Sequence, residues 1–519
     1  MTDLIPAMER RWQDKPWVLV LVAFLINGVA LALSHNYLDG DTHTRTFMAL
    51  QWLKHPFFIY IPNSVTWVFG PLHCYLNAAA LSVWNNPLIT TRLVSMILTS
   101  LTILPLYHSV RIVFGERAAF YSALFCCFCT LFIHPAAIAA SEGINLFFVF
   151  TAIYFFLKFR TSAGWRDLLL SALAILAATM MRYDSWPLAS MLALLLLIFA
   201  FTETGKPSTS AKGAAIIKAL AFGLISHSFI LMWLLAQWMV FGNPLYMNSI
   251  TVELAAPEFA KHMSQAGLLG VVMYHLSFLP VVMLLCAPVA FVAAVVGFYR
   301  SVKSRQFSVF VWLFAVTVAY YLLTFVISLS YYPLARYTTI PAVIFLCFSG
   351  VGVSYLLDRY FTQAKRRLAP LFIAATILVP IGLGFFSHPS ENAIAEKLRA
   401  ISPVTNPPTY YFDFVDDCRK TLADGSRLLL DTRNYNHRLL YLDLYRYRDQ
   451  IDYYWPSTDS LLSFIGSTHP PFVIRTDFPR PDKPIFDTAN GSASIIAAGV
   501  KYHLLARKGV YCLYAIDPS

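Results

Sequence analysis

The chain has 519 residues, of which 58% are hydrophobic and only 13% charged, with a mean hydropathy of +0.59. Soluble domains carry about 25% charge, so a water-soluble globule is excluded, and composition overrides the several soluble domains that length alone suggests. The net charge of +11 does not point to nucleic acid. The basic residues sit in short loops between apolar runs, as orientation signals do, and no basic stripe or recognition motif is present.

In chain order, Arg10, Arg11 and Lys15 precede an apolar run at 17–34 that no small-residue cleavage site follows. It reads as a retained first membrane helix rather than a cleaved signal. The stretch 65–84 is apolar but broken by Gly70, Pro71, His73 and Asn77, and is expected to lie along the membrane surface. Further spans are expected at 88–112, 118–140, 144–159, 167–184, 186–201, 214–241, 271–299, 307–329, 338–357 and 369–386. With the first they make about eleven, each near the roughly 20 residues that cross a bilayer. Lysine and arginine concentrate in one set of loops: Arg111 and Arg117; Lys158, Arg160 and Arg166; Lys206 and Lys212; Arg300, Lys303 and Arg305; Arg359, Lys365, Arg366 and Arg367. The positive-inside rule puts these and the N-terminus in the cytoplasm and the tail outside. No internal repeat or inverted symmetry is visible, which counts against a transporter.

The tail changes character. Arg427–Asp431, Pro471–Thr476 and Tyr511–Ile516 are short apolar runs with turn residues around them, which predict strands, and 413–424 predicts a helix. The expected fold is therefore an all-α polytopic transmembrane bundle over 1–386, with periplasmic loops at 35–87 and 242–270, followed by a soluble periplasmic α/β domain at 387–519. Of the eight cysteines, Cys126, Cys127, Cys129, Cys286 and Cys347 lie in apolar spans and Cys74 in a loop. Cys418 and Cys512 lie in the tail, where an oxidising compartment would allow them to pair.

Polar residues that survive at membrane depth are functional candidates by default, and here they gather on the outer side. The loop after the first span holds Asp39, Asp41, His43 and Arg45 around Gly40, which permits a turn that aims both carboxylates at one site. Asp41 or Thr42 could equally serve as a helix cap. Glu142 sits between two spans, either as an exposed loop acid or facing the same site. Arg182, Tyr183, Asp184 and Trp186 end another span. Arg182 and Asp184 share no helical face unless the helix breaks ahead of Pro187; interfacial anchoring is the alternative. Tyr331, Tyr332, Arg336 and Tyr337 form either an aromatic belt or a phosphate site, since arginine binds oxygens in pairs. Carboxylates, arginines and aromatics at one water–lipid boundary suit a substrate with a negative head and a long apolar tail.

These stretches resemble the polyprenyl-phosphate-sugar-dependent membrane glycosyltransferases of the GT-C type, in the broad family 39 that includes protein O-mannosyltransferases and the aminoarabinose transferase of lipid A. Asp41 and the helix after it resemble the first-loop acidic motif, with Thr42 where members often have Glu. Gly70-Pro71-Leu72-His73-Cys74-Tyr75-Leu76 resembles a Pro-Pro-Leu-Tyr-x-x-Leu stretch with Gly70 for the first proline. Ser141-Glu142 resembles the second-loop acid, and Arg336-Tyr337 through Pro341 an Arg-Tyr-x-x-x-Pro stretch near the lipid phosphate.

The resemblance implies an inverting transfer of a sugar from a polyprenyl-phosphate carrier to an acceptor hydroxyl on a glycan, lipid or protein at the periplasmic face of a bacterial inner membrane. Asp41 would be the general base and Asp39, Glu142 and Asp184 second or orienting acids. Arg336, Arg182 and Arg45 would hold the donor phosphate, and His43, His73, Tyr183 and Tyr337 would line the pocket. No motif demands a cofactor; a divalent metal ion would draw its ligands from Asp39, Asp41, His43 and Glu142. The competing reading is a transporter or flippase of lipid-linked sugars, which calls for ionisable groups at mid-bilayer, where the spans offer mainly His108, His227 and His275.

Overall fold

The computed structural model describes residues 15–34, 41–54, 65–202, 209–304, 308–327, 334–360, 374, 409–432, 435–453, 458–476 and 492–517. Helix α1 (Pro16–Leu33) opens on a proline, whose missing N–H is one that a helix start leaves unbonded anyway. Helices α2 (Thr42–Lys54) and α3 (Pro71–Val83) follow; at 13 residues each they are too short to cross a bilayer. Helix α4 (Pro87–Leu101) starts where the Asn86 side chain accepts from the Ile89 N–H at 3.2 Å, and α5 (Ile103–Phe114) stops at Gly115, where φ is 87°. Helices α6 (Glu116–Cys127) and α7 (Thr130–Ala137) meet at a 51° bend. Helices α8 (Ser141–Ser162) and α9 (Trp165–Met181) pack against each other, then α10 (Trp186–Thr202) and α11 (Thr209–Phe241) against them.

Helix α12 (Tyr246–Cys286) is kinked at Gly267 (φ 65°), and its first half is where the sequence suggested a loop at 242–270. Ala287 (φ −156°) leaves helical geometry before α13 (Pro288–Lys303). Helix α14 (Val309–Tyr321) runs into a π-helical turn at Leu322–Ile327. A 3-10 turn (Ala335–Thr338) then leads into α15 (Thr339–Leu346) and α16 (Ser349–Tyr360), bent by 42° at their junction.

Among the described residues six helices are long and apolar enough to cross a membrane, or eight if each bent pair is one span. The expectation of about eleven differs for identifiable reasons. The span expected at 271–299 is present as Met263–Cys286 and leaves the count unchanged; it ends before Pro288, because proline disfavours the helical conformation in the residue preceding it. Helices α9, with 17 residues, and α14, with 13, are short for a span on their own. The segment 369–386 falls outside the described residues, apart from residue 374.

Two devices hold the bundle. A Cβ on Gly352 would collide with the Ala293 carbonyl, so α13 and α16 approach backbone to backbone, as small residues allow where lipid supplies no hydrophobic drive. Fully buried Arg92 on α4 donates from Nε to Ala137 O at 2.7 Å and from Nη2 to Leu31 O at 2.5 Å. These are last-turn carbonyls of α7 and α1, which a helix end leaves in need of donors.

Towards the C-terminus, α17 (Thr409–Ala423), β1 (Leu428–Leu429), α18 (Tyr435–Asp443), β2 (Ile451–Asp452), α19 (Thr458–Thr468), β3 (Phe472–Thr476), β4 (Ser494–Ala497), β5 (Val500–Lys508) and β6 (Tyr511–Ile516) build a six-stranded sheet in the order β2-β1-β3-β6-β5-β4. β1 is parallel to β2 and β3, and the remaining pairs are antiparallel. Side chains alternate along β6: Tyr511 and Leu513 join the cluster with α17 and α18, Cys512 and Tyr514 the cluster with α19. Cys418 and Cys512 thus lie buried on opposite faces of the sheet, and the pairing open at the sequence level is not made.

Two outcomes follow for stability. Gly352→Leu should push α13 from α16 and cost about 1–3 kcal/mol, read as a lower melting temperature of the purified chain. Burial pushes the Asp443 carboxyl up to about 6, although it accepts a hydrogen bond from Tyr411. The folded state therefore holds this proton more tightly than the unfolded chain, and that contribution, whole below about pH 4, is lost as pH rises through about 6. Asp443→Asn should flatten this part of the pH dependence in melts of the full chain.

Candidate functional site

Asp41 immediately precedes α2, and its carboxylate meets Arg336 Nη2 at 3.0 Å. The two ends of the membrane part of the chain thus come together. Both side chains are about a third exposed, 34% and 31%, so a ligand can reach them. The 3-10 turn at Ala335–Thr338 sets Arg336 beside the Tyr337 ring at 5.3 Å, and that ring packs on Phe325 at 5.4 Å. Arg336 Nε is buried with no hydrogen-bond partner among the described residues.

A deeper charge group adjoins this pair. Helix α9 ends at Met181, Arg182 is extended (φ −151°, ψ 143°), and a 3-10 turn at Tyr183–Ser185 follows. That break is the condition the sequence set for Arg182 and Asp184 to meet: Nε lies 3.0 Å from Asp184 Oδ2, while Nη1 lies 2.6 Å from Glu142 Oε1. Glu142 enters from the first turn of α8. Burial alone would ease deprotonation of Arg182, but Asp184 and then Glu142 outweigh it and hold the guanidinium charged. Gly70 seats against the end of α9, where a Cβ would collide with the Met180 carbonyl and lie 2.6 Å from that of Met181. Asn145 and Ser185, which sequence reasoning did not single out, tie α8 to the turn at 2.9 Å.

Arg45, one turn into α2, is 7% exposed, with its guanidinium 4.4 Å over the Phe69 ring. Burial lowers its pKa, partly offset by Cys74 and Asp41. Its Nη1 has no hydrogen-bond partner among the described residues. Glu142 interacts electrostatically with Arg182, Arg336 and Arg45 alike. Asp41, Glu142 and Asp184 therefore face Arg45, Arg182 and Arg336 in one charge-balanced cluster.

Other expected residues fall elsewhere. His73 does not line an open pocket: it is fully buried, its Nε2 3.1 Å from Ala139 O and its Nδ1 3.3 Å from Asn77 Nδ2. Burial, then Arg45, lowers its pKa to about 3, so the ring is neutral and Nε2 can donate to the carbonyl of Ala139, a left-handed residue (φ 60°) just before Glu142. Tyr183 is likewise tied up, donating to Trp67 O at 2.9 Å and accepting from Trp233 Nε1 at 3.1 Å. His43 is buried on α2. Asp39, Tyr331 and Tyr332 lie outside the described residues.

Of the metal ligands proposed from sequence, Asp41, His43 and Glu142 do not assemble, and Asp39 lies outside the described residues. Among the described residues no three His, Cys, Asp or Glu side chains come together to hold a metal ion, and Asp41 and Glu142 each face a guanidinium. The described residues do not fit a metal, and no step below uses one. The mid-span histidines are occupied: His227 bonds to Ser190 at 3.0 Å, His275 to Phe325 O at 2.5 Å, and His108 packs on Tyr154.

Glu142→Ala should leave Arg182 buried with Asp184 alone. Breaking a buried pair costs about 3–5 kcal/mol, so the purified variant should melt well below the parent, whereas Asp41→Asn, at a more exposed pair, should melt nearly unchanged.

Residues 68–233 match the family model described as dolichyl-phosphate-mannose-protein mannosyltransferase. Among solved structures, the chain is similar to ArnT from Cupriavidus metallidurans bound to undecaprenyl phosphate, at 12% identity and TM-score 0.58, over 97% of this chain and 99% of that one. It is also similar to the Archaeoglobus fulgidus oligosaccharyltransferase in complex with zinc and sulfate, at 14% identity and TM-score 0.53, over 88% of this chain and 68% of that one. No curated protein sequence matches the chain. The family match thus covers residues 68–233, and the likeness to these two structures shows a shared GT-C fold.

Proposed function

We propose that the chain transfers a sugar from a polyprenyl-phosphate carrier to an acceptor hydroxyl, with inversion, at the outer face of a bacterial inner membrane. The observation that carries this reading is the meeting of Asp41 with Arg336, with a buried guanidinium N–H left over. A buried donor without a partner costs about 1–3 kcal/mol, and a phosphate oxygen would satisfy Arg336 Nε while Nη2 keeps Asp41 in place. Arg45 Nη1 offers a second such donor on the same side of α2. The lipid tail has apolar helices to lie against, and the full-length likeness to a structure holding undecaprenyl phosphate supports that ligand class.

In the proposed reaction the acceptor oxygen attacks the anomeric carbon as its proton passes to Asp41. The bond from that carbon to the phosphate oxygen breaks, and its electron pair leaves with the carrier phosphate. That phosphate gains negative charge as it departs, so Arg336 binds the transition state more tightly than the donor, which is the condition for accelerating the step. Arg182 is held by Glu142 and Asp184 and is assigned to support rather than to the phosphate. The outward orientation rests on the lysine and arginine distribution.

The test uses membranes supplied with radiolabelled undecaprenyl-phosphate mannose, glucose and galactose, together with undecaprenyl phosphate binding to the purified chain. Asp41→Asn should lower label transfer about 100- to 10,000-fold while retaining lipid-phosphate binding. Arg336→Ala should weaken binding as well as transfer. Full transfer by Asp41→Asn at normal protein level contradicts the assignment.

A further inference from the structure

Helix α2 carries Asp41 at its start and Arg45 in its first turns, yet it has little to hold itself. At 13 residues it is at the margin of stability for an isolated helix. Its residues Thr42–Gln51 are nonetheless all buried. One side packs on α3; the other is covered by the C-terminal domain. Arg438 of α18 donates from Nη1 to Thr44 Oγ1 at 3.1 Å, while its Nε is fixed on Thr432 O at 2.7 Å. Tyr453, just past β2, accepts from Lys54 Nζ at 2.7 Å and Gln51 Nε2 at 3.4 Å. The Phe47 ring stands edge-on to Tyr441 at 5.5 Å and to Tyr453 at 5.9 Å. A further bond, Tyr445 Oη to Asn85 Oδ1 at 3.1 Å, anchors the same domain to the start of α4.

These contacts run from Thr44 to Lys54, and the one nearest the charged cluster comes from Arg438. Thr44 is neighbour to Arg45 and three residues from Asp41, so a shift of α2 along or about its axis moves both groups relative to Arg336. We propose that the C-terminal domain is a positioning part of the reaction centre. In it, Arg438 acts through Thr44, with Tyr453 at the far end of α2, to hold Asp41 against Arg336 and Arg45 in place beside Phe69. This rests on the reading of Asp41 as the reacting group, but the geometry it claims can be measured without turnover. It differs from a role in binding the acceptor, which would leave α2 in place when the clamp is cut.

The experiment compares variants of the full chain in two readouts. In an Asp41→Cys, Arg336→Cys background, a short thiol-specific cross-linker reports how often the two positions meet. Removing a hydrogen bond from a charged donor is worth about 1.5–3 kcal/mol, so Arg438→Ala should lower the cross-linking rate about tenfold or more, and Arg438→Lys should restore part of it. Thr44→Val removes the same bond from the other partner and should give the same loss; it decides the matter if Arg438→Ala folds poorly. In the chain without the cysteines, Arg438→Ala should lower kcat for label transfer from the best of the three sugar donors while leaving acceptor KM near that of the parent. Unchanged cross-linking in both Thr44→Val and Arg438→Ala, or a change confined to acceptor KM, overturns the proposal. Loss of cross-linking alongside full activity of Asp41→Asn keeps the clamp and refutes only the catalytic reading.

Discussion

The architecture around the site follows from one electrostatic constraint: charge taken out of water must be met by opposite charge. Moving an ion into a low-dielectric interior carries a penalty of several kcal/mol even after relaxation. Arg182, Glu142 and Asp184 answer it with two contacts on one guanidinium, at 2.6 and 3.0 Å. The chain geometry bends to make this happen. Helix α9 stops at Met181, Gly70 gives up a side chain so that another strand of backbone can press on that end, and His73 holds the left-handed Ala139 ahead of Glu142. None of these residues needs to touch a substrate to matter.

The outer pair, Asp41 with Arg336, is different in kind. It is about a third exposed on each side, and its guanidinium retains a buried donor. On the proposed function, a site that pairs its buried charges at depth and leaves a guanidinium donor unsatisfied at the outer pair would receive an anion there. On that reading the inner cluster serves as a wall of the site and the outer pair as the part that meets the ligand.

Much of this was legible in the sequence, and the limits were physical. The acids and arginines stood out because ionisable residues at membrane depth are rare, and the orientation signals placed them on one face. The pairing of Arg182 with Asp184 could be stated only conditionally, since it required a helix break that Pro187 suggested but did not enforce. The family resemblance casts His73 and Tyr183 as pocket-lining; their partners are backbone carbonyls of Ala139 and Trp67, which no pattern in the sequence reveals. Arg92 falls near the start of the span expected at 88–112, and its role in closing helix ends depends on where α1 and α7 stop. The span read at 271–299 is present, but its bounds are displaced because hydropathy runs straight through Pro288, before which the helix ends. In the tail, the runs at β1, β3 and β6 are evident, whereas the two-residue strand β2 and the half-exposed β5 carry little periodic signal. Long-range contacts such as Arg438 with Thr44 link residues too far apart in the chain for local patterns to report.

The most direct measurement of the central claim is an experimental structure of the full chain with undecaprenyl phosphate bound, read for the position of its phosphate. The account expects a phosphate oxygen about 2.8 Å from the Arg336 guanidinium, with the Asp41 carboxylate opening onto the same cavity. A phosphate held by other residues, with Arg336 and Asp41 still paired and no groove connecting them to it, would contradict it.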